Sequence, residues 1–279
     1  MIRTDEIVKR YRNGTVALHG ITLDLDERVT AVIGMNGAGK TTLIRILSTQ
    51  LEPTSGKAEI NGLDIMKNAS QIRKNIVSIP QEASPIGILT PFEHVKLYLV
   101  GRGMSMSEAE RNANISLDQL ELREFKHKPS DTLSGGMKRK VFVAMALSAN
   151  VDTIFLDEPT TGLDPLSRME VWSAIRQLEG NVILTTHYMD EAHELSDEVV
   201  MIHGGKVLEK GNVKSLLSRF KGLVRVETTV PQEKGLQIGR LYIKYVKEED
   251  AEKYLGEGYN IKRITLDDLF ISRGMALES

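Results

Sequence analysis

The chain has 279 residues, enough for one large domain and a small one, and no cysteine, which excludes disulfides and thiolate chemistry. Its 36 basic residues stand against 38 acidic ones, so no strong field draws it to nucleic acid or anionic lipid, and no nucleic-acid partner is expected. No apolar run approaches the ~18 residues a membrane span needs, and Met1-Ile2-Arg3-Thr4-Asp5-Glu6 has no signal-peptide pattern, so a reducing cytoplasm is expected.

Residues 1–28 read as short alternating strands at Ile7-Val8, Val16-Ala17-Leu18 and Ile21 to Leu25. Tyr11 precedes the Asn13-Gly14 turn, either as a half-buried strand tyrosine or as a ring that stacks on a nucleotide base. An apolar run, Val29 to Ile33, then meets Gly34-Met35-Asn36-Gly37-Ala38-Gly39-Lys40-Thr41-Thr42, and the helix-like Leu43 to Leu47 follows. Strand, glycine turn and helix are the context of a phosphate loop. Triphosphate oxygens need close donors, and consecutive backbone N–H groups curled into a nest supply them. Glycine permits positive φ angles and close approach, while the helix N-terminus adds positive potential. Lys40 can reach the β- and γ-phosphates of a nucleoside triphosphate, and the Thr41 hydroxyl can ligate Mg²⁺.

Turns at Pro53-Thr54-Ser55-Gly56 and Asn61-Gly62 flank a strand-like Ala58-Glu59-Ile60. Ile76 to Ile79 reads as a buried strand ending at Pro80-Gln81. Gln81 would lie at the strand's C-terminal edge, where an amide can meet a metal or an attacking water; an exposed loop glutamine is the other reading. Residues 85–150 change character. Thr90-Pro91-Phe92-Glu93 combines an N-cap, a proline at the first helical position and a glutamate three residues after the cap. A second helix is expected from Ser107 to about Leu120, so a mostly helical lobe interrupts the nucleotide domain. Leu133-Ser134-Gly135-Gly136-Met137 opens another helix and makes a second anion site of the same physical kind. Lys138-Arg139-Lys140 follows and is read by default as a solvated basic face.

Thr153 to Asp157 is an apolar run suited to a central parallel strand, closed by Asp157 and Glu158. Asp157 at its end can hold Mg²⁺ through water, and Glu158 can take a proton from the water attacking the γ-phosphate. Pro159 biases Glu158 towards an extended backbone. Thr161-Gly162-Leu163-Asp164-Pro165 is a turn into a helix holding Trp172, the single tryptophan. Asn181 to Thr186 reads as a third strand of this kind ending at His187, either a structural histidine or one that faces the same cleft and can donate to the γ-phosphate. Val199 to Ile202 and Lys206 to Glu209 make a strand–turn–strand around Gly204-Gly205. Beyond about Arg219, strands at 223–230, 241–246 and 260–264 and helices at 248–255 and 265–273 suggest a small α+β appendage without a catalytic constellation.

With these residues assembled, roughly residues 1–218 resemble the nucleotide-binding subunit of ATP-binding cassette (ABC) transporters. Gly34 to Thr42 matches Walker A, Gln81 the Q-loop, Leu133 to Met137 the signature, Ile154 to Glu158 Walker B, Gly162-Leu163-Asp164 the D-loop and His187 the switch histidine. Tyr11 matches the family's base-stacking aromatic. Met137 departs from the usual glutamine and leaves Ser134, Gly135 and Gly136 intact. That methionine, with the tail Leu266-Asp267-Asp268-Leu269-Phe270, looks like exporters whose ATPase and permease are separate chains.

The resemblance implies an α/β P-loop NTPase with a parallel core sheet, antiparallel N-terminal strands, an inserted helical subdomain at about 85–150 and a C-terminal α+β domain. The boundary is expected at 219/220. It implies an ATPase using Mg²⁺ held by Thr41, Gln81 and Asp157, with Glu158, His187, Lys40 and Gln81 as catalytic groups. Partners would be a second copy, paired head to tail so that Ser134, Gly135, Gly136 and Asp164 reach the other copy's nucleotide, and a transmembrane permease holding the chain on the inner membrane face. A soluble ATPase of the same type acting in assembly is the alternative.

Overall fold

The computed structural model describes residues 1–232, 235–256 and 258–274. The chain divides into two compact units, the first Met1–Lys210 and the second beginning at Gly211. In the first, β1 (Ile2–Arg10), β2 (Val16–Leu25) and β3 (Val29–Ile33) lead through the glycine turn to α1 (Lys40–Leu47). Then come β4 (Ser55–Ile60), β5 (Leu63–Asp64), α2 (Ala69–Lys74) and β6 (Ile76–Ile79), followed by the helices α3 (Pro91–Gly101), α4 (Met106–Gln119) and α5 (Gly135–Ala149). The unit continues through β7 (Thr153–Asp157), α6 (Pro165–Ile175), β8 (Asn181–Thr186), α7 (Met189–Leu195), β9 (Glu198–His203) and β10 (Lys206–Gly211).

Two sheets form. The larger runs β10-β9-β3-β8-β7-β6, and its pairings from β9 through to β6 are parallel. β3 and β7 are buried along their whole length, which is why both read as uninterrupted apolar runs. Phe155, Ile183, Leu43 and Ile46 fill the core beneath them. The register positions the site: Ile33 lies opposite Thr186, and Asp157 opposite Thr185. The segments leaving β3, β7 and β8 therefore emerge together at one edge of the sheet.

The second sheet, β2-β1-β4-β5, is antiparallel. Short strands are expected near the N-terminus, but β1 and β2 run for nine and ten residues. Register shifts between Thr4 and Ile7, with Glu6 at φ 49°, break the alternation that would have marked one long strand. The helical lobe is as expected. Thr90 with Glu93 and Ser105 with Glu108 both close capping boxes, and Val95, Leu99, Ala109, Ala113 and Leu117 are buried.

In the second unit, α8 (Val213–Leu217), β11 (Leu223–Thr228), β12 (Leu236–Ile238), β13 (Leu241–Lys247), α9 (Ala251–Gly256), β14 (Asn260–Lys262) and α10 (Leu266–Gly274) make an antiparallel sheet, β12-β13-β11-β14, with helices. It begins some residues before the expected boundary because α8, capped by Asn212, packs against α10. No helix among the described residues is long and apolar enough to cross a membrane.

Candidate active site

The site starts from the turn after β3. Gly37 and Gly39 have φ of 81° and 106°, angles that L side chains rarely adopt. A Cβ on Gly39 would lie 2.6 Å from the Ala17 carbonyl oxygen, and one on Gly34 2.3 Å from that of Ile202. Glycine is thus required twice over, by angle and by space. The loop delivers Lys40 as the first residue of α1, where its Nζ donates to the Gly34 carbonyl at 2.8 Å and lies 3.1 Å from Glu158 Oε1. Lys40 is 4% exposed, so this ammonium is held among acceptors and not in solvent.

At the end of β7, Asp157 Oδ1 accepts from the Thr41 hydroxyl at 3.1 Å and from the Thr185 hydroxyl at 2.5 Å. Glu158 is buried beside it and meets four groups. Its Oε1 faces Lys40; its Oε2 accepts from the Thr161 hydroxyl at 2.7 Å and lies 2.5 Å from His187 Nδ1; its N–H is taken by Thr185. Burial alone would push the Glu158 carboxyl up, but the Thr161 hydroxyl, the Lys40 ammonium and His187 outweigh it and hold the group below the usual range. The extended backbone expected ahead of Pro159 is not found: Glu158 has φ 48°, in the left-handed region. Its anchored N–H and its three side-chain partners over-determine a conformation that proline alone disfavours.

Lys40, Thr41, Thr42, Gln81 and Glu158 line one cleft of about 450 Å³ together with Asn36, Gly37 and Gly39. The Tyr11 hydroxyl is 3.1 Å from Thr42 Oγ1, so the exposed ring sits at the side of the loop. His187 reaches the cleft through Glu158. The residues fit a magnesium–triphosphate: a nest of backbone N–H groups, one ammonium, and a hydroxyl–carboxylate pair at one end of it.

Ser134, Gly135, Gly136 and Asp164 do not line this cleft. Ser134 is exposed and caps α5 by accepting from the Met137 N–H at 3.2 Å. A Cβ on Gly136 would lie 2.8 Å from Ser167 Cβ, so that glycine lets α5 and α6 approach closely. Asp164 caps α6 and accepts from Ser167 Oγ at 2.6 Å, which with the helix N–H groups keeps its carboxyl below the usual range.

Arg139 and Lys140, in the basic run after the signature, do not form the solvated face expected of them. Arg139 donates to the carbonyls of Pro80, Gln81 and Ala83, pinning the segment that holds Gln81 to α5. Lys140 is 5% exposed and lies 3.2 Å from Glu170 and 3.8 Å from Glu121. Neither is a solvated charge, because their partners come from distant elements that adjacency in sequence does not reveal. Thr161 and Thr185, which hold the two acids, belong to no motif in the sequence; the hydroxyl-rich ends of their segments are the available signal.

A strand ending in a glycine nest and lysine, beside a second strand ending in paired acids, defines a P-loop nucleotide-binding protein. Residues 18–161 match the family described as ABC transporter. ATP-binding cassette sub-family A member 2 of Homo sapiens is 37% identical over 247 residues, 85% of this chain and 10% of that protein. The daunorubicin/doxorubicin resistance ATP-binding protein DrrA of Streptomyces peucetius is 39% identical over 223 residues, 78% of this chain and 67% of that one. A dimeric ATP-binding cassette solved in a post-hydrolysis state with ADP and Pi superposes with a TM-score of 0.69 at 26% identity, covering 76% of this chain and 98% of that one. The chain spans about a tenth of the sub-family A proteins it matches. It belongs to the ABC transporter family, as an ATP-binding domain similar to the ATP-binding protein of a drug-resistance system.

Proposed function

We propose that this chain hydrolyses ATP as one of a head-to-tail pair and so drives export through a separate membrane permease. The observation that carries this is Glu158, buried between Lys40 and His187 beside the Thr41–Asp157 pair. The glycine nest and Lys40 bind the phosphates, and Tyr11 takes the base. Thr41, Asp157 and Gln81 would hold Mg²⁺, which when bound would supply positive charge against the phosphates. Lys40, on turning from Glu158 to the phosphates, withdraws one of the groups that hold this carboxyl down, so the carboxylate grows more basic and then takes a proton from the attacking water. His187, already hydrogen-bonded to Glu158 through Nδ1, has its other nitrogen free to steady the transferred group.

The head-to-tail pairing is supported by the exposed Ser134 helix start, which does not line the chain's own cleft, and by the dimeric state of the related cassette. Export is supported by the resistance protein among the relatives. Docking of a permease, which would hold the chain at the inner membrane face, is supported by Ile86 and Ile88, 60% and 82% exposed on the stretch that follows Gln81.

Glu158→Gln is the test. The variant is expected to bind ATP, to run as a dimer in light scattering with ATP and Mg²⁺, and to release phosphate at least ~100-fold more slowly. Undiminished phosphate release would remove Glu158 from its role, and a strictly monomeric variant would remove the pairing.

A further inference from the structure

Glu191 is the buried acid this chemistry does not use. It lies in the first turn of α7 and is fully buried. Two hydrogen bonds fall on one oxygen of its carboxylate: Oε1 accepts from the Thr160 hydroxyl at 2.7 Å and from the Trp172 indole N–H at 2.9 Å. Oε2 is buried with no hydrogen-bond partner among the described residues. Burial pushes this carboxyl up, against the pull of the Thr186 and Thr160 hydroxyls, the indole and the Arg168 guanidinium. An apolar side chain of similar size would fill the space without that desolvation. What it would lack is direction: packing lets elements slide, whereas two hydrogen bonds on one atom set their separation.

The three elements joined are those that place the reacting groups. Thr160 is two residues after Glu158 and is itself fully buried. α7 begins two residues after His187, so its first turn sets where β8 ends its run. Trp172 is on α6, the helix opened by Asp164. A second line runs the same way: the Arg168 guanidinium of α6 stacks 4.1 Å from the Tyr188 ring, whose centroid is 4.1 Å from that of His187.

We propose that Glu191 is a positioning residue for the Glu158–His187 pair, its Oε1 acting as the common acceptor that sets the distance between the two segments. This rests on the roles given above to Glu158 and His187. The test is steady-state phosphate release by the full chain carrying Glu191→Ala, Glu191→Gln, Thr160→Val or the Glu191→Ala/Thr160→Val pair.

Glu191→Ala and Thr160→Val are each expected to lower kcat at least about tenfold with KM for ATP unchanged. The double variant should be no slower than the slower single one, since both remove one interaction. Glu191→Gln retains the acceptor and should stay within about threefold of wild type. Wild-type turnover in either single variant, multiplied losses in the double, or equal losses in Gln and Ala would overturn the proposal. Thr160→Val, nearly isosteric, carries the test should Glu191→Ala fail to fold. Glu158→Gln run alongside separates the two readings: full activity there sinks the role of Glu158, whereas an inactive Glu158→Gln with an active Glu191→Ala sinks only this inference.

Discussion

Both units of this protein bury charge, and they do so to different ends. In the second unit Arg225 lies 3.0 Å from Asp268 and 3.1 Å from Glu227, while Lys262 lies 2.6 Å from the other Glu227 oxygen and the Tyr245 hydroxyl donates to Asp268. All five residues sit in regular strands or a helix, and the charges face one another. In the first unit Lys40 and Glu158 are as deeply buried, but one leaves a glycine nest, the other holds a left-handed backbone, and both line an open cleft. Buried charge by itself does not mark a site. Buried charge on constrained backbone, directed at space a ligand can fill, does.

The comparison can be broken by removing a cation from each cluster. Arg225→Met leaves Asp268 and Glu227 buried without their arginine, so a loss of ~3–5 kcal/mol is expected in urea unfolding followed by the tyrosines of the second unit. Lys40→Ala should instead show in binding: ATP affinity is expected to fall by roughly a hundredfold, the worth of charge-assisted bonds to phosphate, with a smaller effect on the urea midpoint. Equal stability losses in the two variants, with ATP affinity intact, would erase the distinction.

Ser134→Ala sharpens it further. Losing a helix N-cap costs ~1 kcal/mol in the single chain. If Ser134 also serves a partner's nucleotide, phosphate release should fall by more than that cost explains, and by the same factor at saturating ATP. A loss confined to stability would leave it as a cap only.

The smallest effect is in the pH dependence. Glu158 has a folded pKa below its ordinary 4.5, so its contribution to stability is present above pH 4.5 and is lost as pH falls through the lower folded value. The difference in Tm between wild type and Glu158→Gln should stay level from about pH 7 to about pH 5 and narrow below it. A gap that widens in acid would contradict the sign.

How much of this could be read from the chain alone differs residue by residue. The glycine turn, the capped helix at Thr90 and the apolar strands ending at Asp157 and His187 were legible because each rests on contacts within a few residues. The long hairpin of β1 and β2 was not, since the bulge at Glu6 interrupts the alternation that reveals a strand. The short β5, α2 and β12 carry too few residues for a periodic pattern. Arg139 and Lys140 read as solvated charge because their acceptors are Pro80, Gln81, Ala83 and Glu170, out of reach of any local pattern. Glu158 illustrates the same limit in its backbone: the pre-proline preference is a local energy, and tertiary hydrogen bonds override it.

By itself, then, the sequence determined that a phosphate loop exists, where its helix starts, which strands are buried and which acids close them. These are properties of neighbouring residues, set by steric limits on φ, by hydrogen bonds a few positions away and by alternating burial. Only the tertiary structure decided that Lys40, Glu158 and His187 meet, that Glu191 stands behind them, and that Ser134 stays out of the cleft. Those outcomes depend on parallel strands over a hundred residues apart sharing one register, and one position of slip would turn every side chain to the opposite face.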